Sequence, residues 1–260
     1  TDDFIGLGAN FYFPFADAKP DVFSVDITEG FESNSSIRID VPNATDPGGS
    51  YAGAIFRAEG AGRDLTQYDA LTFYVKASQG VELGDAGFGI DYLGDKYNTS
   101  INNINVGTSW SKVIIPIPDA SKLLEERGLF WFSAGSQGTG GSGYTLWFDE
   151  IKFEKTGTVG VPNPFIFEGQ NTASQAFVGS SLFITGLKTV FNLTNGQDVE
   201  VTTAPSYFDF KSSDTSVASV DELGNVGSGW ETIGNKWLDH LDHVPSGFVE
   251  LDKHSVVDLS

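Results

Sequence analysis

The chain has 260 residues, with 15 Lys and Arg against 35 Asp and Glu, a formal net charge of −20, and neither cysteine nor methionine. The missing cysteine excludes disulfide scaffolds and cysteine-based zinc sites or catalysis. The negative charge argues against binding to nucleic acid and to sulfated or uronic polysaccharides, which it would repel. A hydrophobic content of 40%, with 21 Phe, is enough to build a core and argues against disorder. The length fits one large or two medium domains.

The sequence carries no apolar stretch long enough to cross a membrane as a helix. It begins at Thr1 rather than Met, which is compatible with removal of an export signal or a lipid anchor upstream. The absence of cysteine permits an oxidising compartment.

The first half of the chain reads as β-structure. Alternation of apolar and polar residues predicts half-buried strands, and glycine-rich turns separate them. The predicted strands are Ser36–Val41, Leu71–Ala77, Lys112–Pro118, Leu129–Ala134 and Tyr144–Phe153. One short helix is predicted at Ala120–Arg127. Many short strands with regular turns indicate a sandwich or jelly roll.

The composition changes after Lys155, where Thr156–Pro164 has the character of a linker. Beyond it, strands are predicted at Leu182–Ile184, Val190–Leu193, Val199–Thr202 and Tyr207–Phe210, with a turn at Leu223–Asn225. The start of a helix is predicted at Trp230–Leu241. The predicted organisation is therefore a first domain at 1–155, a linker at 156–164, a second domain at 165–229 and an atypical tail at 230–260.

Asp149 is a candidate metal ligand. Strict alternation along its strand places Asp149 on one face with Trp147, Ile151 and Phe153. An inward carboxylate needs a partner, and a hard cation such as Ca²⁺ with oxygen ligands would provide one. The alternative is an edge carboxylate that is solvated or bonded to backbone amides.

A second candidate site follows from the stretch Ala86–Tyr92. Alternation places Gly87, Gly89 and Asp91 on one strand face, which makes a poor core but a good groove floor for a ligand that approaches the backbone. Sugar binding needs flat apolar rings beside hydroxyl-bonding groups. The candidates are Tyr51, Asp91, Tyr92, Lys96, Tyr97 and Trp131.

For each aromatic candidate, packing in the core is the alternative. In Leu129–Ala134 we expect Phe130 and Phe132 to point inward and Trp131 to face the groove. We see no arranged pair of an acid and a nucleophile, and residues 1–155 contain no histidine. The sequence therefore favours binding over catalysis.

Three phrases in the first half resemble those of carbohydrate-binding modules of the jelly-roll type. They lie at Gly49–Gly53, Gly62–Phe73 and Gly143–Ile151, and Thr108–Lys112 before an apolar strand completes the pattern. The resemblance covers roughly residues 30–155 and implies a jelly-roll β-sandwich. It also implies a structural Ca²⁺ at Asp149, with further ligands near Asp3 and Glu32.

A second resemblance lies in the other half. Ser212–Asp221 together with Gly224–Val226 is similar to the core of bacterial immunoglobulin-like domains of group 2, which implies a smaller immunoglobulin-like β-sandwich. The expected fold class is therefore all-β, with a jelly roll followed by an immunoglobulin-like domain.

Such a pair resembles surface glycan-binding proteins and the non-catalytic regions of polysaccharide-degrading enzymes. It implies non-catalytic binding of a neutral polysaccharide, a β-glucan such as laminarin, by a monomer that is extracellular or on the outer cell surface. Two alternatives stay open: an accessory binding region of a secreted glycoside hydrolase, and a structural adhesin or spacer.

Overall fold

The computed structural model describes residues 9–170, 172–176, 181–194, 196–212, 215, 218–228 and 247–251. These residues form two compact units. The first contains the described residues up to Pro162 together with Val190–Val201, and the second contains Asn163–Thr189 and the described residues from Thr202 onward. The regular structure of the described residues consists of strands and single 3₁₀ turns, which confirms the all-β prediction.

The first ten strands all belong to the first unit. They are β1 Ala9–Pro14, β2 Phe23–Asp26, β3 Ser36–Val41, β4 Tyr51–Ala58, β5 Ala70–Ala77, β6 Val81–Phe88, β7 Thr99–Val106, β8 Ser111–Pro116, β9 Gly128–Gly135 and β10 Tyr144–Glu154. Two 3₁₀ turns interrupt them, at Ala120–Lys122 and Gln137–Thr139.

The remaining strands follow Lys155. They are β11 Asn163–Phe165, β12 Thr172–Ala176, β13 Ser181–Phe183, β14 Lys188–Asn192, β15 Asp198–Thr203, β16 Ala218–Val220, β17 Asn225–Ser228 and β18 Gly247–Leu251. Two more 3₁₀ turns lie at Phe167–Gly169 and Pro205–Tyr207.

Two sheets build the first unit. The larger sheet has the order β1-β4-β9-β6-β7 and continues into β15 and β14. The smaller sheet has the order β2-β3-β10-β5-β8. Neighbouring strands from β1 to β10 pair antiparallel, so the first unit is an antiparallel β-sandwich.

Phenylalanine fills the space between the two sheets. Phe130 and Phe132 of the larger sheet and Phe73 and Phe148 of the smaller sheet are at most 1% exposed. The ring centroids of Phe73 and Phe130 lie 5.4 Å apart, and those of Phe132 and Phe148 lie 5.2 Å apart. Edge and tilted ring contacts at these distances stabilise a core beyond the burial of apolar area.

The predicted helix at Ala120–Arg127 is wrong. Only Ala120–Lys122 forms a 3₁₀ turn, capped by the Asp119 carboxylate, which accepts a hydrogen bond from Ser121 N. The rest of the segment is not helical, because Leu123 O accepts a hydrogen bond from Leu65 N and Glu126 forms an isolated β-bridge with Arg63. Tertiary pairing here overrides a modest local helix propensity.

The strict alternation predicted for β10 is also wrong. The register of β10 against β5 shifts between Asp149 and Lys152, and Glu150 has φ of 50°. As in a β-bulge, this irregularity changes which residues of β10 face the core. Leu146 and Phe148 face the core before the bulge, and Ile151 faces it after the bulge. Asp149 lies on the outer face with Trp147.

The second unit has a small core of its own. It consists of the buried residues Ile166, Ile184, Leu187, Phe208, Ala218 and Val226. Strands β13, β17 and β16 form one antiparallel sheet, and β12 pairs with β18. The immunoglobulin-like assignment of this unit stays a prediction.

Two predictions in the second half have a definite outcome. The turn at Leu223–Asn225 is confirmed, with Gly224 at φ of 72° and Asp221 accepting the amide hydrogens of Leu223 and Asn225. The strand predicted at Tyr207–Phe210 is wrong, because its first residue ends the 3₁₀ turn Pro205–Tyr207. The helix predicted at Trp230–Leu241 lies outside the described residues. None of the described residues forms a helix long and apolar enough to cross a membrane.

Candidate functional site

The outer face of the larger sheet, which is the face turned away from the sandwich core, carries the candidate site. Phe130 and Phe132 point into the core, as the sequence predicts, so Trp131 between them points outward. Trp131 is nevertheless only 8% exposed. Its Nε1 donates a hydrogen bond to Asn98 Oδ1 at 3.1 Å, which fixes the orientation of the indole.

Gly87 makes room for that indole. A Cβ on Gly87 would lie 2.8 Å from Trp131 Nε1 and 2.2 Å from the carbonyl oxygen of Thr99, both closer than real contacts allow. Gly87 is buried, so its prediction as an open groove floor is wrong: the tryptophan covers it. The predicted strand through Ala86–Tyr92 also ends early, at Phe88, because Gly89 turns the chain with φ of 89°.

The loop Asp91–Asp95 presents Tyr92 to solvent. Asp91 Oδ1 accepts hydrogen bonds from Leu93 N and Asp95 N, and Asp95 Oδ1 accepts them from Asp91 N and Tyr92 N. Arg57 Nη1 donates to the carbonyl oxygen of Asp91 at 2.9 Å and ties the loop to β4. The carboxylate of Asp91, predicted to bond sugar hydroxyls, thus accepts hydrogen bonds within the loop.

Phe15, which the sequence interpretation missed, connects the aromatic candidates. Its ring centroid lies 6.1 Å from that of Trp131 and 6.5 Å from that of Tyr92, with edge-on geometry in both pairs. A Cβ placed on Gly53 would lie 2.9 Å from the Phe15 ring and 3.1 Å from the Tyr51 ring, so both rings lie over this glycine. We call Phe15, Tyr51, Tyr92 and Trp131 the aromatic cluster.

Within the aromatic cluster, exposure is uneven. Tyr92 is 50% exposed and offers the most accessible ring surface. Burial, followed by the nearby Asp95, raises the pKa of Tyr92, and burial raises that of Tyr51, so both phenols stay protonated at neutral pH. The Tyr51 hydroxyl donates to Ala16 O at 2.7 Å.

Lys96 and Tyr97 lie on the segment that follows this loop. Lys96 Nζ is 5.6 Å from the ring centroid of Tyr97. The carbonyl of Tyr97 packs against the backbone of Gly89, since a Cβ there would lie 2.2 Å from that oxygen. The structure thus joins Tyr51, Tyr92 and Trp131 through Phe15, and pairs Lys96 with Tyr97.

Beside the aromatic cluster, a row of polar residues crosses three strands of the same face. Ser133 of β9 is opposite Asp85 of β6, and Asp85 is opposite Asn102 of β7. We call these three residues the polar row. Asp85 is the central residue of the polar row. Its place on the outer face could have been predicted from the sequence, because Asp85 alternates with the core residues Ala86 and Phe88 in the same way as Gly87.

Asp149 is buried, with 2% exposure, although it lies on the outer face of the smaller sheet. Its Oδ2 accepts hydrogen bonds from Phe31 N at 2.8 Å and Ser33 Oγ at 3.2 Å, and its Oδ1 accepts one from Glu150 N at 2.8 Å. The segment that contains Phe31 and Ser33 therefore folds over β10 and covers the carboxylate.

Three N–H and O–H groups, Phe31 N, Ser33 Oγ and Glu150 N, donate to Asp149, which is the arrangement of a hydrogen-bonded carboxylate. Of the other predicted ligands, Glu32 is exposed, with φ of 53°, and Asp3 lies outside the described residues. Among the described residues, no group of three or more His, Asp or Glu is placed to hold a metal. Calcium at this position stays a prediction.

The outer face of the smaller sheet also carries aromatic residues. Lys76 Nζ lies 5.3 Å from the ring centroid of Trp110 and 4.9 Å from that of Trp147, and it pairs with Glu29. Trp147 Nε1 donates to Asp26 Oδ2 at 3.0 Å. Lys76 and the indole nitrogen of Trp147 therefore have partners within the protein.

A buried acid lies close to the loop that presents Tyr92. Glu126 is 6% exposed, and its Oε1 accepts a hydrogen bond from Gly128 N at 2.7 Å. Burial, opposed by the hydrogen bond from Gly128 N and aided by the charges of Asp91 and Asp95, raises the pKa of Glu126 to about 7.

Carbohydrate-binding modules are among the solved structures that are similar to this chain. A family 30 module is 23% identical, with a TM-score of 0.39, and the match covers 52% of this chain and 75% of that one. The family 30 module of the cellulosomal cellulase Cel9D-Cel44B of Clostridium thermocellum is 19% identical, with a TM-score of 0.41, and the match covers 56% and 91%. A family 11 module of Clostridium thermocellum, solved with a β-1,3-1,4-mixed-linked tetrasaccharide, is 15% identical, with a TM-score of 0.37 and coverage of 51% and 82%.

The curated proteins include no match to this chain. The profile of the family described as carbohydrate binding domain 30 matches residues 9–155, which is more than half of the chain and includes the aromatic cluster, the polar row and both sheets from β1 to β10. The chain therefore belongs to carbohydrate-binding module family 30, and its first unit is a non-catalytic carbohydrate-binding module.

Proposed function

We propose that the chain binds a neutral β-glucan, such as laminarin or a mixed-linkage glucan, on the outer face of the larger sheet. The observation that carries the proposal is the aromatic cluster, in which the half-exposed Tyr92 ring stands beside Phe15 and Trp131. Rings held in this way stack on the C–H faces of sugar residues, while neighbouring polar groups bond the hydroxyls.

Electrostatics supports a neutral ligand. The chain has a net charge of −20, so a polyanionic chain such as alginate is repelled at long range, whereas an uncharged glucan is not. We place the protein outside the cell, as a monomer in which the second unit, with an immunoglobulin-like fold, spaces the module from an anchor or from a catalytic domain.

The direct test is affinity electrophoresis and calorimetric titration of the full chain against laminarin, mixed-linkage β-glucan, xylan, mannan and alginate. We expect retardation by one or both β-glucans and none by alginate. Failure of every neutral polysaccharide to bind would contradict the proposal and favour a structural spacer.

The site is tested separately with Tyr92→Ala. Loss of a stacking ring should weaken glucan binding about tenfold, on the scale of one desolvated aromatic contact. Tyr68→Ala is the matched control, because Tyr68 is 37% exposed but its ring packs against Phe153, away from the aromatic cluster. Equal affinity of the Tyr92→Ala variant and the parent would move the site elsewhere while leaving the function in place.

A further inference from the structure

The polar row has no internal hydrogen-bond network. Among the described residues, no hydrogen bond or ion pair engages the side chains of Ser133, Asp85 or Asn102. This is unusual for Asp85, because it is half-buried in the middle of a sheet face, where a carboxylate normally has a partner.

Small residues and aromatic rings surround the polar row. On the other side of β9, Ser133 is opposite Gly53 of β4. Gly53 has no side chain and lies under the rings of Phe15 and Tyr51. Two residues further along β6 than Asp85, Gly87 is opposite Trp131 and lies beneath its indole. The outer face therefore has small residues beside Asp85, and aromatic rings beyond the Ser133 end of the polar row.

We propose that Asp85, flanked by Ser133 and Asn102, is the main hydrogen-bonding residue for the hydroxyl groups of a neutral glycan that lies across the strands of the larger sheet. This inference rests on the proposed function and adds to it a residue, a ligand orientation and a source of selectivity.

The chemistry of each group supports this role. Neighbouring strands are about 4.8 Å apart, so the polar row offers three hydrogen-bonding groups at regular steps from the aromatic cluster toward β7. An ionised carboxylate only accepts hydrogen bonds, and a sugar hydroxyl is a donor, so the pair is charge-assisted. The same carboxylate repels the anionic groups of uronic acid polymers, which gives selectivity for neutral sugars at the site itself.

Burial raises the pKa of Asp85, as expected for a carboxylate that loses water without gaining a partner. A ligand hydroxyl that donates to the ionised form should lower that pKa again. By linkage, glucan affinity should then fall as the pH is lowered through the pKa of the free protein, because protonation removes the charged acceptor.

The test measures binding of mixed-linkage β-glucan and laminarin to the full chain and to Asp85→Ala and Asp85→Asn. We expect a loss of about tenfold to one hundredfold for Asp85→Ala, the range of a hydrogen bond to a charged group, and a smaller loss for Asp85→Asn. The fall in affinity at low pH should disappear in Asp85→Asn. Glu82→Gln is the matched control, because it removes one charge from an exposed position of the same strand.

The outcomes separate the two proposals. If the parent binds neither glucan, the proposed function fails. If the parent binds but both Asp85 variants bind with unchanged affinity and melt at the parent temperature, the function holds and the role of Asp85 is overturned. If Asp85→Ala melts at a lower temperature than the parent, its loss of affinity could come from lost stability, and the Asp85→Asn variant is used instead. Unchanged affinity and an unchanged pH profile of Asp85→Asn would then overturn the inference.

Discussion

Glu126 should make the first unit less stable as the pH rises toward neutral. Its carboxyl has a pKa of about 7 in the folded protein against an ordinary 4.5, so between these values the folded state binds more protons than the unfolded state. The free energy of unfolding therefore falls with rising pH in this window. The contribution is fully present below the unfolded pKa and is lost as the pH rises through the folded pKa.

The size of the effect follows from the two pKa values. At 1.36 kcal/mol per pH unit, the displacement of this pKa corresponds to about 3 kcal/mol between mildly acidic and mildly alkaline solution. A Glu126→Gln variant removes the charge and keeps an oxygen that accepts the hydrogen bond from Gly128 N. We expect the difference in free energy of unfolding between the Glu126→Gln variant and the parent to rise by about 3 kcal/mol, in favour of the variant, as the pH increases over that range.

The measurement is urea unfolding followed by tryptophan fluorescence at pH values from about 4.5 to about 8, with the parent and the variant compared at each pH. Glu125→Gln is the control, because Glu125 is exposed and its replacement should leave the difference flat. Parallel stability curves for the parent and Glu126→Gln would refute the reasoning, since a buried carboxyl with a raised pKa cannot leave stability independent of pH.

Three further predictions concern packing and the metal. Gly87→Ala should lower the free energy of unfolding by about 1–3 kcal/mol, because the added Cβ would overpack against the carbonyl oxygen of Thr99 and against Trp131. Gly80→Ala, where nothing lies within 4 Å, should leave it unchanged, and equal unfolding midpoints of the two variants in urea would contradict this. Asp149→Ala should lower the free energy of unfolding by about 2–4 kcal/mol, because Phe31 N and Glu150 N lose their buried acceptor. An unchanged melting temperature would contradict this and would indicate that water takes the place of the carboxylate as acceptor. If calcium binds at Asp149, EDTA lowers the melting temperature and excess Ca²⁺ restores it; no response to EDTA would contradict the calcium hypothesis.

The sequence predicts the sandwich well because its strands alternate in the usual way. The boundaries of Ser36–Val41 agree with the structure, and Trp131 points away from the core as predicted, since Phe130 and Phe132 are much better buried. Alternation fails where the backbone departs from regular geometry. The bulge at Glu150 and the turn at Gly89 each depend on a positive φ that the hydrophobic pattern does not reveal.

The candidate site was predictable only in part. Tyr51, Tyr92 and Trp131 come together, but Phe15, which connects them, precedes the first predicted strand and had no pattern to mark it. The alternation of Asp85 with Ala86 and Phe88 was visible in the sequence, but Asp85 was overlooked because its polar neighbours Ser133 and Asn102 are revealed only by the pairing of β6 with β9 and β7. Sequence identifies which residue types suit a ligand, whereas strand register decides which of them meet.

The reciprocal carboxylate bonds of the loop Asp91–Asp95 have a consequence for the thermodynamics of binding. Because each aspartate accepts amide hydrogens from the other end of the loop, and Arg57 holds its backbone, the Tyr92 ring is set in place before any ligand arrives. A polysaccharide that stacks on this ring would not have to order the loop, so little conformational entropy would be lost on the protein side. Most of the entropic cost then falls on the polysaccharide, and stiffer glucans should bind with a smaller entropic penalty than flexible ones.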